Sequence, residues 1–160
     1  MKSRWVPLAL LGVFATAALS AQTKASGTVT CKADPATPVP VTDKPEESFM
    51  VGRAQCTWSG FPIAGVASKS GVSTDFGTMR GDTASFRGYH VATMANGDTT
   101  VAKYEGKATM KDGKPVSSEG TWVYEGGTGK FKGIKGKGTF KGKPAGDTTT
   151  FQIEGEYKLP

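Results

Sequence analysis

The sequence predicts an all-β fold, a single small antiparallel β-barrel of about eight strands preceded by a helical signal peptide. Three observations carry this expectation. Glycine is the dominant residue, 22 of 160 alongside 9 prolines. Apolar residues almost nowhere recur at the three-and-four spacing of a helix, and several segments alternate apolar and polar residues with period two.

The chain opens MKSR and continues as an unbroken run of apolar and small residues from Trp5 to Leu19. That run is too short for a membrane-spanning helix, which needs roughly 20 residues, and no comparable stretch follows, so residues 1–21 are expected to be a secretory signal peptide. Small residues at Ala18, Ser20 and Ala21 permit cleavage after Ser20 or Ala21, and the boundary is drawn at Ala21. The mature part, 22–160, is of a size for one domain, expected to be secreted or periplasmic with no membrane span left. Without Lys2 and Arg4 it holds 18 basic and 14 acidic residues, a mild net charge of +4.

Both cysteines, Cys31 and Cys56, fall in the mature chain, and an even count in an exported protein predicts one disulfide. They form no CxxC, and His90 is the only histidine, so a His/Cys metal site lacks ligands. No metal and no cofactor is expected.

In chain order, SGTVTCKA and ESFMVGRAQCTWSG are predicted strands. Between them DPATPVPVTDKP, whose prolines cannot donate to a sheet, is expected to be a loop. ASFRGYHVATMANGDTTVAKYEGKATM predicts a hairpin closed by a tight two-residue turn at Asn96-Gly97. SEGTWVYEG places Trp122 and Tyr124 on one face, and TTTFQIEGEYKL places Phe151, Ile153, Tyr157 and Leu159 on one face. A sheet of this many strands with one oily face closes on itself, and Gly52, Gly88, Gly106, Gly120 and Gly155 supply the kinks. Met50, Trp58, Phe86, Met94, Tyr104, Trp122, Tyr124, Phe140, Phe151, Ile153 and Tyr157 are expected to point inward, and so large an aromatic share favours a filled interior over a pocket.

The stretch EGGTGKFKGIKGKGTF, Glu125 to Phe140, combines glycine and lysine in a way that invites a phosphate-binding reading. A Walker loop fails because Gly136-Lys137 is followed by Gly138 and no helix follows. The dinucleotide fingerprint fails because the glycine after Gly127-Thr128-Gly129 comes only at Gly133. Lys130, Lys132, Lys135, Lys137, Lys141 and Lys143 would suit a polyanionic surface, but no exposed aromatic is interleaved for base stacking, so no nucleic-acid partner is expected. Period-two alternation already explains these lysines as the wet outside of a hairpin.

The glycine spacing itself resembles the GxGxFxGxxGxG segment of the allene oxide cyclase and dirigent type of barrel, through Gly127, Gly129, Phe131, Gly133, Gly136 and Gly138. The resemblance covers about a tenth of the chain in its motif and the last 75 residues in topology. It implies a strand connection in a small antiparallel barrel, with Phe131 plugging the barrel end. It also implies an interior of the kind in which those enzymes steer reactive apolar molecules, but no catalytic residue carries over. From the residues themselves, His90 is the candidate internal general acid or base, with a barrel-mouth histidine satisfied by water or a backbone carbonyl as the ordinary alternative. Trp58, Trp122, Tyr124 and Tyr157 are the expected neighbours of a small apolar ligand. A cyclase or isomerase, or a surface-interaction protein with a basic face, are the alternatives.

Overall fold

The structure, a computed structural model, describes residues 22–160. The signal peptide expected over 1–21 lies outside the described residues. Nine strands run in chain order: β1 Thr23–Ala33, β2 Val39–Val41, β3 Lys44–Gly60, β4 Ser68–Arg80, β5 Thr83–Met94, β6 Thr99–Lys111, β7 Lys114–Gly127, β8 Lys135–Ala145 and β9 Thr148–Lys158. The long strands pair antiparallel with their chain neighbours, and β1 bridges β9 and β3 to close an eight-stranded barrel. Short loops between consecutive strands enforce this up-and-down order.

Two local expectations need correction. The proline-rich segment is not all loop: Val39–Val41 forms β2, pairing Val39 with Phe49 and Pro40 with Ser48. Because β2 is the edge of the sheet, the missing N–H of Pro40 need not interrupt a ladder. The turn at Asn96-Gly97 is wider than two residues. Met94 N–H donates to Asp98 O, and only Gly97 (φ 87°) has a positive φ there, which gives a three-residue loop. Asp98 fixes that loop: its carboxylate accepts from Asn96 Nδ2 at 2.7 Å and from the backbone N–H of Lys130 at 3.0 Å.

The barrel is closed at one end and open at the other. At the closed end the 3-10 turn Gly129–Phe131 and residues 61–66, held by a bridge between Ile63 and Val66, fold over the strand ends. Phe131, Ile63, Ile134 and Met94 are completely or almost completely buried there, with Phe61 beside them. Tyr157 joins this plug, its hydroxyl accepting from the backbone N–H of Ala64 at 2.8 Å. Inside the wall, rings lie over glycines on facing strands. Gly106 pairs with Gly120, and a Cβ at Gly106 would stand 2.8 Å from both Phe140 and Phe86. Cys31 and Cys56 are cross-strand partners joined by a disulfide that ties β1 to β3 and faces the interior.

The outside is wet over most of the barrel. On β8 the exposed lysines Lys137 and Lys141 sit beside Glu156 of β9 and Glu119 of β7. Lys130 and Lys132 stand on the closing turn rather than on the strand. The exception lies across β3, β4 and β5, where Phe49, Val51, Phe76, Tyr89 and Val91 are exposed and Phe49 stacks on Phe76 at 5.7 Å.

Candidate functional site

The interior is not filled. A cavity of about 1100 Å³ opens at the end opposite the plug, among the turns that link β4 to β5, β6 to β7 and β8 to β9. The expectation of a solid core holds only at the plugged end. Aromatic rings such as Phe86, Tyr104, Phe140 and Phe151 also line the hollow part, but Ala54, Ala84, Ala92, Ala102, Ala108, Gly52 and Gly77 stand between them. Small side chains on facing strands leave the space that larger ones would occupy.

Four of the five residues singled out from sequence meet around this cavity. Trp58, His90, Trp122 and Tyr124 all line it, whereas Tyr157 belongs to the plug and not to the cavity wall. Trp122 packs edge-on against Phe61 at 5.8 Å and Tyr124 at 5.0 Å. Its indole Nε1 is the one buried side-chain polar atom without a partner among the described residues.

His90 is neither at the mouth nor dependent on water. Trp58 Nε1–H donates to His90 Nε2 at 3.1 Å, and His90 Nδ1 lies 2.9 Å from Ser73 Oγ. An indole N–H can only donate, so Nε2 is the acceptor and the neutral ring carries its proton on Nδ1, donating to Ser73. Burial lowers the imidazole to about 4, which keeps it neutral at ordinary pH. A proton already on Nδ1 means that His90 is not placed to activate Ser73 as a nucleophile.

Beside this run, Tyr104 Oη–H donates to Asp75 Oδ2 at 2.8 Å. Burial, then the negative charge and hydrogen bond of Asp75, push the Tyr104 phenol far above its usual range, against a smaller opposing effect of Ser73. Trp58, His90 and Ser73 therefore form one run of hydrogen bonds, and Tyr104 with Asp75 forms a second pair in the same cavity wall. Burial likewise raises Tyr124, opposed by its hydrogen bond with Thr100 and assisted by Tyr157.

Glycines make room for Asp75. It pairs with Gly52 on β3 and Gly88 on β5, and a Cβ at Gly52 would meet Asp75 Oδ1 at 2.7 Å. Ser73 and Asp75 had no signal in the sequence as inward residues. The alternation on β4 runs against the usual sense: Val72 and Phe76 face out while Gly71, Ser73, Asp75 and Gly77 face in. That inversion becomes visible only through the pairing of Ser73 with His90 and of Asp75 with Gly52 and Gly88.

Among the described residues no group of three or more His, Cys, Asp or Glu is arranged to hold a metal ion. No described helix is long and apolar enough to cross a membrane. The fold and cavity define a class, an antiparallel β-barrel plugged at one end and hollow at the other. No protein-family model and no curated protein matches the chain.

Proposed function

We propose that the mature chain is an exported binding protein that holds a small apolar molecule inside the barrel. The observation that carries this is the cavity of about 1100 Å³ with its largely apolar and aromatic wall and a few placed polar groups, His90, Ser73, Tyr104 and Asp75 among them. Pockets for small molecules have this makeup: apolar walls give affinity, and a few placed polar groups fix orientation. The resemblance of Gly127–Gly138 to the allene oxide cyclase and dirigent type of segment supports the same reading. Export is supported by the Trp5–Leu19 run and by the disulfide. The basic face supports a polyanion partner less well, because Glu119, Glu154 and Glu156 neighbour the β8 lysines and threonine across the strands.

Titration of residues 22–160 with the neutral fluorophore N-phenyl-1-naphthylamine tests this reading. Saturable one-to-one binding, with quenching of Trp58 and Trp122, is the expected result, and a folded protein with no saturable response would contradict it. A second reading, an isomerase or cyclase acting on a reactive apolar substrate, is favoured by the Tyr104–Asp75 pair, an acid and a base facing an apolar space. It requires turnover of apolar epoxides or polyenes that is lost in Tyr104→Phe.

A further inference from the structure

Asp75 presents an unusual arrangement for a carboxylate inside an apolar cup. One oxygen, Oδ2, accepts from Tyr104. The other, Oδ1, lies over Gly52 with no hydrogen-bond partner. It is not sealed from solvent, since Trp122 Nε1 is the one buried side-chain polar atom without a partner among the described residues, so Oδ1 opens to the cavity that Asp75 lines. No positive charge offsets it from within. The basic residues of the wall, Arg53, Lys111 and Lys114, stand toward the rim beside the acidic Asp34, Asp112 and Asp147, and Arg53 is committed to Asp34 at 2.9 Å. His90, the remaining titratable nitrogen in the wall, receives the Trp58 N–H on Nε2 and donates from Nδ1. The donor that does reach Asp75, the Tyr104 hydroxyl, is spent on Oδ2 and leaves Oδ1 open.

An apolar molecule entering the cavity expels the water that solvates Oδ1. A ligand that brings only carbon to that point leaves a desolvated carboxylate half satisfied, which opposes binding. A hydroxyl restores one hydrogen bond. An ammonium restores the hydrogen bond and adds the opposite charge in a low-dielectric setting, where a charge-assisted contact is worth about twice a neutral one.

We propose that Asp75 is the polar anchor of the cavity and that the ligand class it selects is an apolar amine, bound as the ammonium with its head on Asp75 Oδ1 and its tail along the apolar wall. This rests on the apolar-ligand reading above and adds the identity of the head group. It also explains Gly52, whose missing side chain keeps the ground over Oδ1 clear.

Displacement of N-phenyl-1-naphthylamine by dodecylamine, 1-dodecanol and dodecanoate, all below their aggregation concentrations, tests the proposal with one tail and three heads. The amine is expected to displace the fluorophore at a concentration roughly tenfold or more below that of the alcohol, with the carboxylate weakest. Asp75→Asn, which keeps shape and removes charge, should erase the amine–alcohol difference when each competitor is scored against the variant's own fluorophore affinity. Should that variant not fold, Gly52→Ala decides instead, because its methyl group crowds Oδ1 without removing the charge and should narrow the same difference. Equal displacement by amine and alcohol in the unaltered protein, or an undiminished preference in the folded Asp75→Asn variant, would overturn the proposal while leaving the apolar-ligand reading in place. Failure of the fluorophore itself to bind would remove both.

Discussion

His90 shows how one side chain links the interior to pH. The unfolded imidazole titrates near 6.5 and the buried one near about 4. Above the unfolded value both states are neutral, and the stability from burying the neutral ring is fully present. As pH falls from 6.5 toward 4, the unfolded chain takes up a proton that the folded one refuses. Stability should then drop by roughly 1.4 kcal/mol per pH unit, to a total loss on the order of 3 kcal/mol. Urea unfolding of wild type and His90→Asn across that window checks this. The variant should lose stability less steeply, since both proteins share the same carboxylates, and parallel slopes would show that His90 is protonated without penalty. As the lone histidine on an inward phase, His90 was legible in the sequence as a candidate internal residue, with a place at the barrel mouth as the alternative. Its partners were not, because Ser73 and Asp75 belong to a strand whose outward positions are the apolar ones. Sequence periodicity assigns the oily side inward, and only the pairing of Ser73 with His90 and of Asp75 with Gly52 and Gly88 reveals the reversal.

At the scale of the strand, the disulfide and the lysine face make opposite predictions. The disulfide spans a sequence separation of 25 between β1 and β3. A loop of this size predicts that a Cys31→Ala, Cys56→Ala double variant loses roughly 3 to 4 kcal/mol in denaturant unfolding. Both cysteines are bonded and almost fully buried in the wall, so labelling the oxidised protein unfolded in denaturant without reductant should find no thiol. Lys135, Lys137 and Lys141 are outward and exposed. Replacing all three with Gln should move stability by less than roughly 0.5 kcal/mol each, and a collapse of the fold would show that their positive charge is structurally required. The strands with strong alternation, β7 and β9, were legible to within a few residues. β2 was not, because its Pro40 argues against a strand until the edge position is known.

For the molecule as a whole, closure followed from strand number and one oily face, but the hollow did not. An inventory of inward residues sums their bulk without saying where along the axis each falls. Here the plug takes Ile63, Phe131, Ile134 and Tyr157, while in the open half small residues such as Ala84, Ala102 and Ala108 alternate with the rings and leave a space between them. The exposed apolar patch on β3 to β5 offers a competing place for an apolar probe, so the location of binding must be read as well as its existence. The most direct measurement is the affinity of N-phenyl-1-naphthylamine for three proteins in parallel: wild type, Ala102→Phe and Val51→Ser. Ala102 lies in the cavity wall between His90 and Tyr124, and Val51 is outside and well exposed. A probe held in the cavity should bind wild type and Val51→Ser alike and lose roughly tenfold or more in affinity for a folded Ala102→Phe, the ring having taken its space. Unchanged affinity in Ala102→Phe together with loss in Val51→Ser would place the probe on the outer patch and contradict the account.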